Sequence, residues 1–234
     1  MKLGPTATLP VDGGGPEQQR ELRAQGQKTM RKLLDAGRWV FDKRGFHAAR
    51  VDDVVKRAKT SHGTFYLYFS NKEGLFKALA IDALDDMGGL VDQLPEITPD
   101  SVGRGALRGW ISLFFDTYAR HGSVIRAWTE GEFVDNELGA LGSQLLGRLG
   151  AALRARVEAG GPSEDVDPAV AGLALLSLLE RFNYLVQSRQ VRFEREAMLD
   201  TLAAVAHAGF FTGQPMVGMR SPLRSATRRS ATPR

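Results

Sequence analysis

The chain has 234 residues, 43% of them hydrophobic and none a cysteine, so a buried core is expected while disulfides and thiolate metal sites are excluded. No apolar run approaches the ~18 residues that cross a bilayer, and residues 1–24 lack the hydrophobic centre of a signal peptide, which predicts a cytoplasmic protein without a membrane partner. The formal net charge of +4 hides a split, with 15 Lys/Arg against 8 Asp/Glu in residues 1–80, 11 against 19 in residues 81–219 and 5 against none in residues 220–234.

A basic first third beside an acidic remainder points to a polyanion partner for the first part alone, the alternative being a solvated basic face. Residues 1–24, with Pro5, Pro10, the Gly13–Gly15 run and Pro16, are expected to form a flexible arm. Met30, Leu33, Leu34, Gly37, Val40 and Phe41 keep helical spacing, predicting a first helix over about 24–44 that Gly45 stops. Val51, Val54, Val55 and Ala58 repeat at i, i+3, i+4, i+7 and define a short second helix. Ser61 is a candidate cap for a third helix over 62–68, and Ser70 with Glu73 reads as a capping box for a fourth ending near 87, before Gly88-Gly89.

After the loop "DQLPEITPDS", helices are predicted at about 101–121, 123–131, 135–159, 168–190 and 194–211, Asp167-Pro168 being a clear start signal. No alternating strand pattern is present. The expected class is all-α: a helix-turn-helix unit over 25–88, a larger helical unit over 89–212 for ligand binding and dimerisation, and a basic tail over 213–234.

Helices two and three, joined by "AKTS", make a helix-turn-helix whose second member enters the major groove by its N-terminal part. Phe65 and Phe69 lie four apart and can anchor that helix on one face. Ser61, His62, Gly63 and Thr64 then face outward. Tyr66 and Tyr68 offer hydroxyl tips suited to phosphate oxygens. Lys72 sits at the start of helix four, where its charge opposes the helix dipole unless an anion is bound there.

The stretch "GFHAARVDDVVKRAKTSHGTFYLYFSNKEGLFKAL" resembles the DNA-binding half of the tetracycline-repressor (TetR) family, over about residues 25–80. The resemblance implies that Ser61, His62, Gly63 and Thr64 start the recognition helix, that Tyr66, Tyr68 and Lys72 contact phosphate, and that Gly63 lets the backbone approach DNA. Two departures stand out. The turn reads Ala58-Lys59-Thr60 where the family has Ala-Gly-Val, so Lys59 in a left-handed conformation would cost ~1–2 kcal/mol while bringing an ammonium toward phosphate. Arg50 replaces the usual Ser or Thr cap of helix two, leaving Asp52 or Asp53 to act through the dipole.

In the second half, Trp110, Phe114 and Tyr118 recur at spacings of four, with Trp128, Phe133 and Phe182 elsewhere in the unit. They read either as ordinary core or as the wall of a pocket for an apolar or amphipathic small-molecule effector. Asn183 is the polar group such a pocket would use, unless it lies on the surface. Leu175, Leu179, Leu202 and Val205 lie on broad apolar faces of the last two helices. In the TetR family such helices pair across a two-fold axis, which implies a homodimer; packing within one chain is the alternative.

The rival readings are weaker. His47, His62, His121 and His207 show no metal spacing, "GRGALRG" is not a dinucleotide fingerprint, and no G-x-S-x-G nucleophile motif is present. No cofactor and no catalysis are expected. A helical carrier without DNA binding would leave the charge split and the aromatic stretch at 65–69 unexplained. The expectation is a homodimeric, ligand-responsive repressor on a palindromic double-stranded DNA operator, with activation or loss of ligand response as alternatives.

Overall fold

The computed structural model describes residues 16–131, 135–162, 166–188 and 190–212. Phe133, most of the expected arm and the basic tail lie outside the described residues. Among the described residues there are eight helices and no strand: α1 Pro16–Ala48, α2 Val51–Ala58, α3 His62–Tyr68, α4 Lys72–Asp92, α5 Ser101–Thr129, α6 Asn136–Ala159, α7 Pro168–Gln187 and α8 Arg195–Phe210.

Helix α1 begins at Pro16, earlier than expected, inside the stretch read as a flexible arm. Pro is favourable at a first helical position, and "PEQQRELRAQ" is rich in good helix formers. At Gly45 the helical geometry breaks, with φ 73 and ψ 169, a conformation glycine reaches without a Cβ penalty. The predicted stop is therefore present as a sharp kink.

Side-chain caps set most of the other starts. Ser61 accepts from the Thr64 N–H, Asp100 from Val102 and Gly103, Asp135 from Leu138, Asp167 from Ala169 and Val170, and Glu194 from Ala197. Helix α4 departs from expectation: its cap is Asn71, whose Oδ1 accepts from the Gly74 N–H at 2.8 Å, not Ser70. It also runs through Gly88-Gly89 to Asp92, because Gly88 is buried against α6 and the tertiary contact outweighs weak propensity. The two helices expected at 101–121 and 123–131 are one, α5. Gly122 does not break it, since Val124 and Ala127 beyond are buried in the N-terminal core.

Two apolar clusters result. One joins Leu33, Val40 and Phe41 of α1 with Val54 and Val55 of α2, Phe65 of α3, Phe69 just beyond it, and Leu75, Phe76 and Leu79 of α4. The second joins Met87 and Leu90 of α4 with Leu107, Trp110, Ile111, Phe114 and Phe115 of α5, Leu149 and Leu153 of α6, Leu175 and Leu179 of α7, and Leu199 and Leu202 of α8. Helices α4 and α5 contribute to both clusters, so the two units share rigid elements. Helix α7, 20 residues with mean hydropathy 1.4, is long and apolar enough to cross a membrane by length and composition. Its Ala171, Gly172, Leu175, Leu176, Leu179 and Asn183 are packed into the chain's own core.

Candidate nucleic-acid interface and effector region

The turn between α2 and α3 is built on Lys59, which sits at φ 53, ψ 52. Its N–H reaches the Lys56 carbonyl, and the Thr60 N–H donates to the Val55 carbonyl at 3.0 Å, the six-to-one bond of a Schellman motif. Glycine is the easy residue at such a position, so Lys59 holds it at a cost of ~1–2 kcal/mol. In return an exposed ammonium stands at the entrance to the recognition helix. Arg50 makes no side-chain cap to α2; Asp52 and Asp53 occupy its first turn, and Asp53 is paired with Arg44 at 3.2 Å.

Helix α3 is fixed from behind. Phe65 is fully buried, Phe69 nearly so, and their rings lie 5.6 Å apart. The opposite side stands in solvent: Ser61, His62, Gly63, Tyr66 and Leu67 are exposed. A Cβ on Gly63 would meet nothing closer than Ser61 Oγ at 3.7 Å. The fold does not require this glycine, which costs ~1 kcal/mol in a helix; its open side suits close approach by a partner. His62 Nε2 donates to Asp52 Oδ1 at 2.7 Å, tying α3 to α2. Thr64 and Ser61 hydroxyls lie 2.9 Å apart.

The three residues expected on phosphate divide. Tyr66 is 56% exposed and free to reach outward. Tyr68 is half-buried and its hydroxyl donates to the Gly26 carbonyl of α1 at 3.2 Å. Lys72 Nζ donates to the Phe46 carbonyl at 2.9 Å and the His47 carbonyl at 3.3 Å, over the Phe46 ring. The penalty expected for a lysine at the α4 N-terminus is thus offset at the end of α1, where carbonyls need partners. Arg50, Lys56, Arg57 and Lys59, on α2 and at its two ends, are exposed; the Arg57 guanidinium lies 4.7 Å over the Trp39 ring of α1.

In the second unit, Trp110, Phe114 and Tyr118 form a tilted ring series at 5.7 and 6.3 Å, all buried. Trp110 Nε1 donates to the Leu90 carbonyl at 3.0 Å, and the Tyr118 hydroxyl meets Glu180 at 3.3 Å. Burial first, then Glu180, drives the Tyr118 hydroxyl well above its ordinary value, so it stays protonated. Phe182 packs on Phe115 and on exposed Phe193. Trp128 does not join this set: it packs on the N-terminal cluster, where Gly142 leaves no room for a Cβ beside its ring.

Asn183 is fully buried, not on the surface, and neither its Oδ1 nor its Nδ2 has a partner. An unsatisfied buried polar group costs ~1–3 kcal/mol. Sequence reasoning passed over His121, whose adjacent acidic partner lies far off in sequence. It is fully buried, its Nε2 bonds Asp86 Oδ2 at 2.9 Å, and its Nδ1 has no partner. Asp86 also takes Arg120 at 2.8 Å, and Asp82, one turn earlier on α4, takes Arg38 of α1 at 2.7 Å. Between α1 and α5 lies a polar groove of about 340 Å³ lined by Arg38, Trp39, Arg120, Ser123 and Gln187 among others.

Three of the four expected interface residues are used inside the chain. Leu175 and Leu179 are fully buried and Leu202 is 6% exposed, because the inward faces of α7 and α8 close the second core. Val205 is exposed, together with Val170 and Leu173 on α7. Apolar spacing marks a core face and an interface face alike.

The model of bacterial regulatory proteins of the tetR family matches residues 33–79. The chain is 28% identical over 167 residues to the HTH-type transcriptional regulator EthR of Mycolicibacterium smegmatis, covering 70% of this chain and 76% of that one. It is 39% identical over 61 residues to the uncharacterized HTH-type regulator YdgC of Bacillus subtilis, a match spanning 31% of that relative. The fold of the transcriptional regulator FadR from Bacillus subtilis, solved with stearoyl-CoA, superposes with TM-score 0.56 at 21% identity, over 76% of this chain and 97% of that one.

Proposed function

We propose that this chain, which belongs to the tetR family of bacterial regulatory proteins, is a dimeric DNA-binding transcription regulator, most simply a repressor, released by a small amphipathic effector. The observation that carries the DNA reading is the face of α3: a polar, exposed helix start that follows the exposed bases Arg50, Lys56 and Lys59 of α2 and its ends, on a helix locked from behind by Phe65 and Phe69. On this reading His62 and Thr64 read base edges, while Tyr66 and Lys59 hold phosphate.

A single seven-residue helix reads a small site, so two copies are needed for useful affinity. Exposed Val170, Leu173 and Val205 on the outer faces of α7 and α8 suit an isologous two-fold contact. The effector reading rests on the aromatic series Trp110–Phe114–Tyr118 and on unpartnered Asn183 in the same core. FadR from Bacillus subtilis was solved with stearoyl-CoA, and an amphipathic effector for this chain fits that neighbour.

Helix α4 is the coupling element. Leu75 and Leu79 lie in the reading head's core, Met87 and Leu90 lie in the effector region's core, and Asp82 and Asp86 bond α1 and α5. An effector acts only through different affinities for two positions of such an element. Salt-dependent fluorescence anisotropy on a duplex selected from a random pool tests the reading. Tight, sequence-selective binding supports it; equal affinity for all duplexes contradicts it.

A further inference from the structure

A side-chain bond joins α2 and α3 where the reading helix starts: His62 Nε2 lies 2.7 Å from Asp52 Oδ1. His62 opens α3, and Asp52 lies in the first turn of α2. Both side chains are largely exposed, at 56% and 79%. A pair so exposed adds little to stability. A carboxylate on this face also repels the phosphate backbone. Asp52 therefore weakens contact with DNA unless it improves something else.

What it improves follows from hydrogen-bond chemistry. An ionised carboxylate only accepts, so the proton between the two groups is on Nε2 of His62. The ring then has one hydrogen-bonding atom left, Nδ1, and no bond to it is present among the described residues. In the neutral ring of this tautomer Nδ1 carries a lone pair and no proton. The hydroxyls of Ser61 and Thr64, 2.9 Å apart, rotate and serve either polarity. The polarity of His62, by contrast, is set by its neighbour.

We infer that Asp52 is a positioning residue for sequence recognition: by holding the Nε2 proton of His62 it leaves Nδ1 an acceptor, so that His62 takes the exocyclic amino group of a base, N6 of adenine or N4 of cytosine. In the major groove those amino groups are the donors, while guanine N7 and O6, adenine N7 and thymine O4 are acceptors. A lone pair on Nδ1 meets a lone pair at each of the latter. This inference rests on the reading of α3 as the base-reading helix and narrows what His62 reads there.

The test is fluorescence anisotropy of the full chain, His62→Ala and Asp52→Ala on the selected duplex at pH 8.5, where a free imidazole is neutral. Single base-pair changes compared between the wild type and His62→Ala locate the pair that His62 reads. At that pair the amino group is then deleted, with purine for adenine or 2-pyrimidinone for cytosine, or the purine N7 acceptor is deleted with a 7-deaza analogue. Amino deletion should weaken wild-type binding about tenfold and N7 deletion about twofold or less. In His62→Ala the amino penalty should fall to about twofold or less, which also corrects for any change in the duplex itself. In Asp52→Ala it should fall to about threefold or less, with penalties at other pairs and the thermal midpoint unchanged. A larger penalty for N7 than for amino deletion in the wild type, or a full tenfold amino penalty in Asp52→Ala, would overturn the inference. If His62→Ala changes preference at no pair while binding stays selective, the inference fails and the DNA reading stands. If no duplex is bound selectively, both fail.

Discussion

The ammonium of Lys72 lies 2.9 Å from the Phe46 carbonyl oxygen, at the end of α1, while its backbone opens α4. One side chain thus closes the end of one helix at the start of another, within the same reading head. Lys72→Met keeps the stem and removes the charge. It should lower stability by ~1 kcal/mol, measured by urea unfolding, because two carbonyls lose their donor. If the ammonium also reaches phosphate, binding to all duplexes should weaken alike and the salt slope should drop by about one. Lower stability with an unchanged slope would assign Lys72 to the fold alone.

Lys59→Gly separates strain from binding. Glycine adopts the left-handed geometry of residue 59 freely, so the substitution should stabilise by ~0.5–1 kcal/mol after the unfolded-state entropy of glycine is subtracted. DNA affinity should fall at the same time, with the loss equal across sequences. A destabilised variant would show that the Lys59 side chain contributes to the fold in a way its exposure does not suggest.

His62→Ala and Thr64→Ala should each cost ~1–3 kcal/mol at particular base pairs of a selected duplex and little on random DNA. Because His62 is held by Asp52, Asp52→Ala should produce a weaker version of the same change in base preference. Uniform losses on specific and random DNA would move these residues to the backbone-contact class.

The dimer reading now rests on the outer faces. Leu173→Arg with Val205→Arg should yield a folded monomer by analytical ultracentrifugation and should cripple operator binding without touching α3. Leu179→Arg should instead unfold the chain, since it puts an unpaired charge at a fully buried position. A Leu173/Val205 double variant that remains dimeric would place the contact elsewhere.

The Asp86–His121 pair predicts the pH response. Burial lowers the His121 pKa below its ordinary 6.5, and Asp86 only partly restores it. For Asp86, burial alone would raise the carboxyl, but hydrogen bonds from His121 and Arg120 outweigh it and hold it below its ordinary 3.8. A depressed histidine contributes stability that is full above about pH 6.5 and is lost as pH falls through its folded value; the Asp86 contribution persists until far lower pH. The urea midpoint should therefore fall between pH 7.5 and 5, and by less in His121→Gln. Equal falls would mean that other groups dominate.

Much of this architecture is written locally. Caps such as Asp167-Pro168 and Ser61, the Gly45 stop and the Phe65/Phe69 anchor are chemistry between near neighbours, and each is where its residues suggest. What was not legible depends on distant partners. Gly88-Gly89 and Gly122 look like breaks until α6 and the N-terminal core hold them in helix. Lys72 and Tyr68 look outward until Phe46 and Gly26 appear beside them. His121 gains meaning only through Asp86, and the interface leucines only lose it once the second core closes.

Selection of duplexes from a randomised pool, followed by affinity measurement at about 150 mM salt, tests the central claim most directly. The account predicts one enriched inverted repeat, its half-sites about 34 Å apart or a multiple of that, bound as a dimer at least ~10³-fold more tightly than random DNA. No enriched sequence, or affinity that depends on salt but not on sequence, would contradict it.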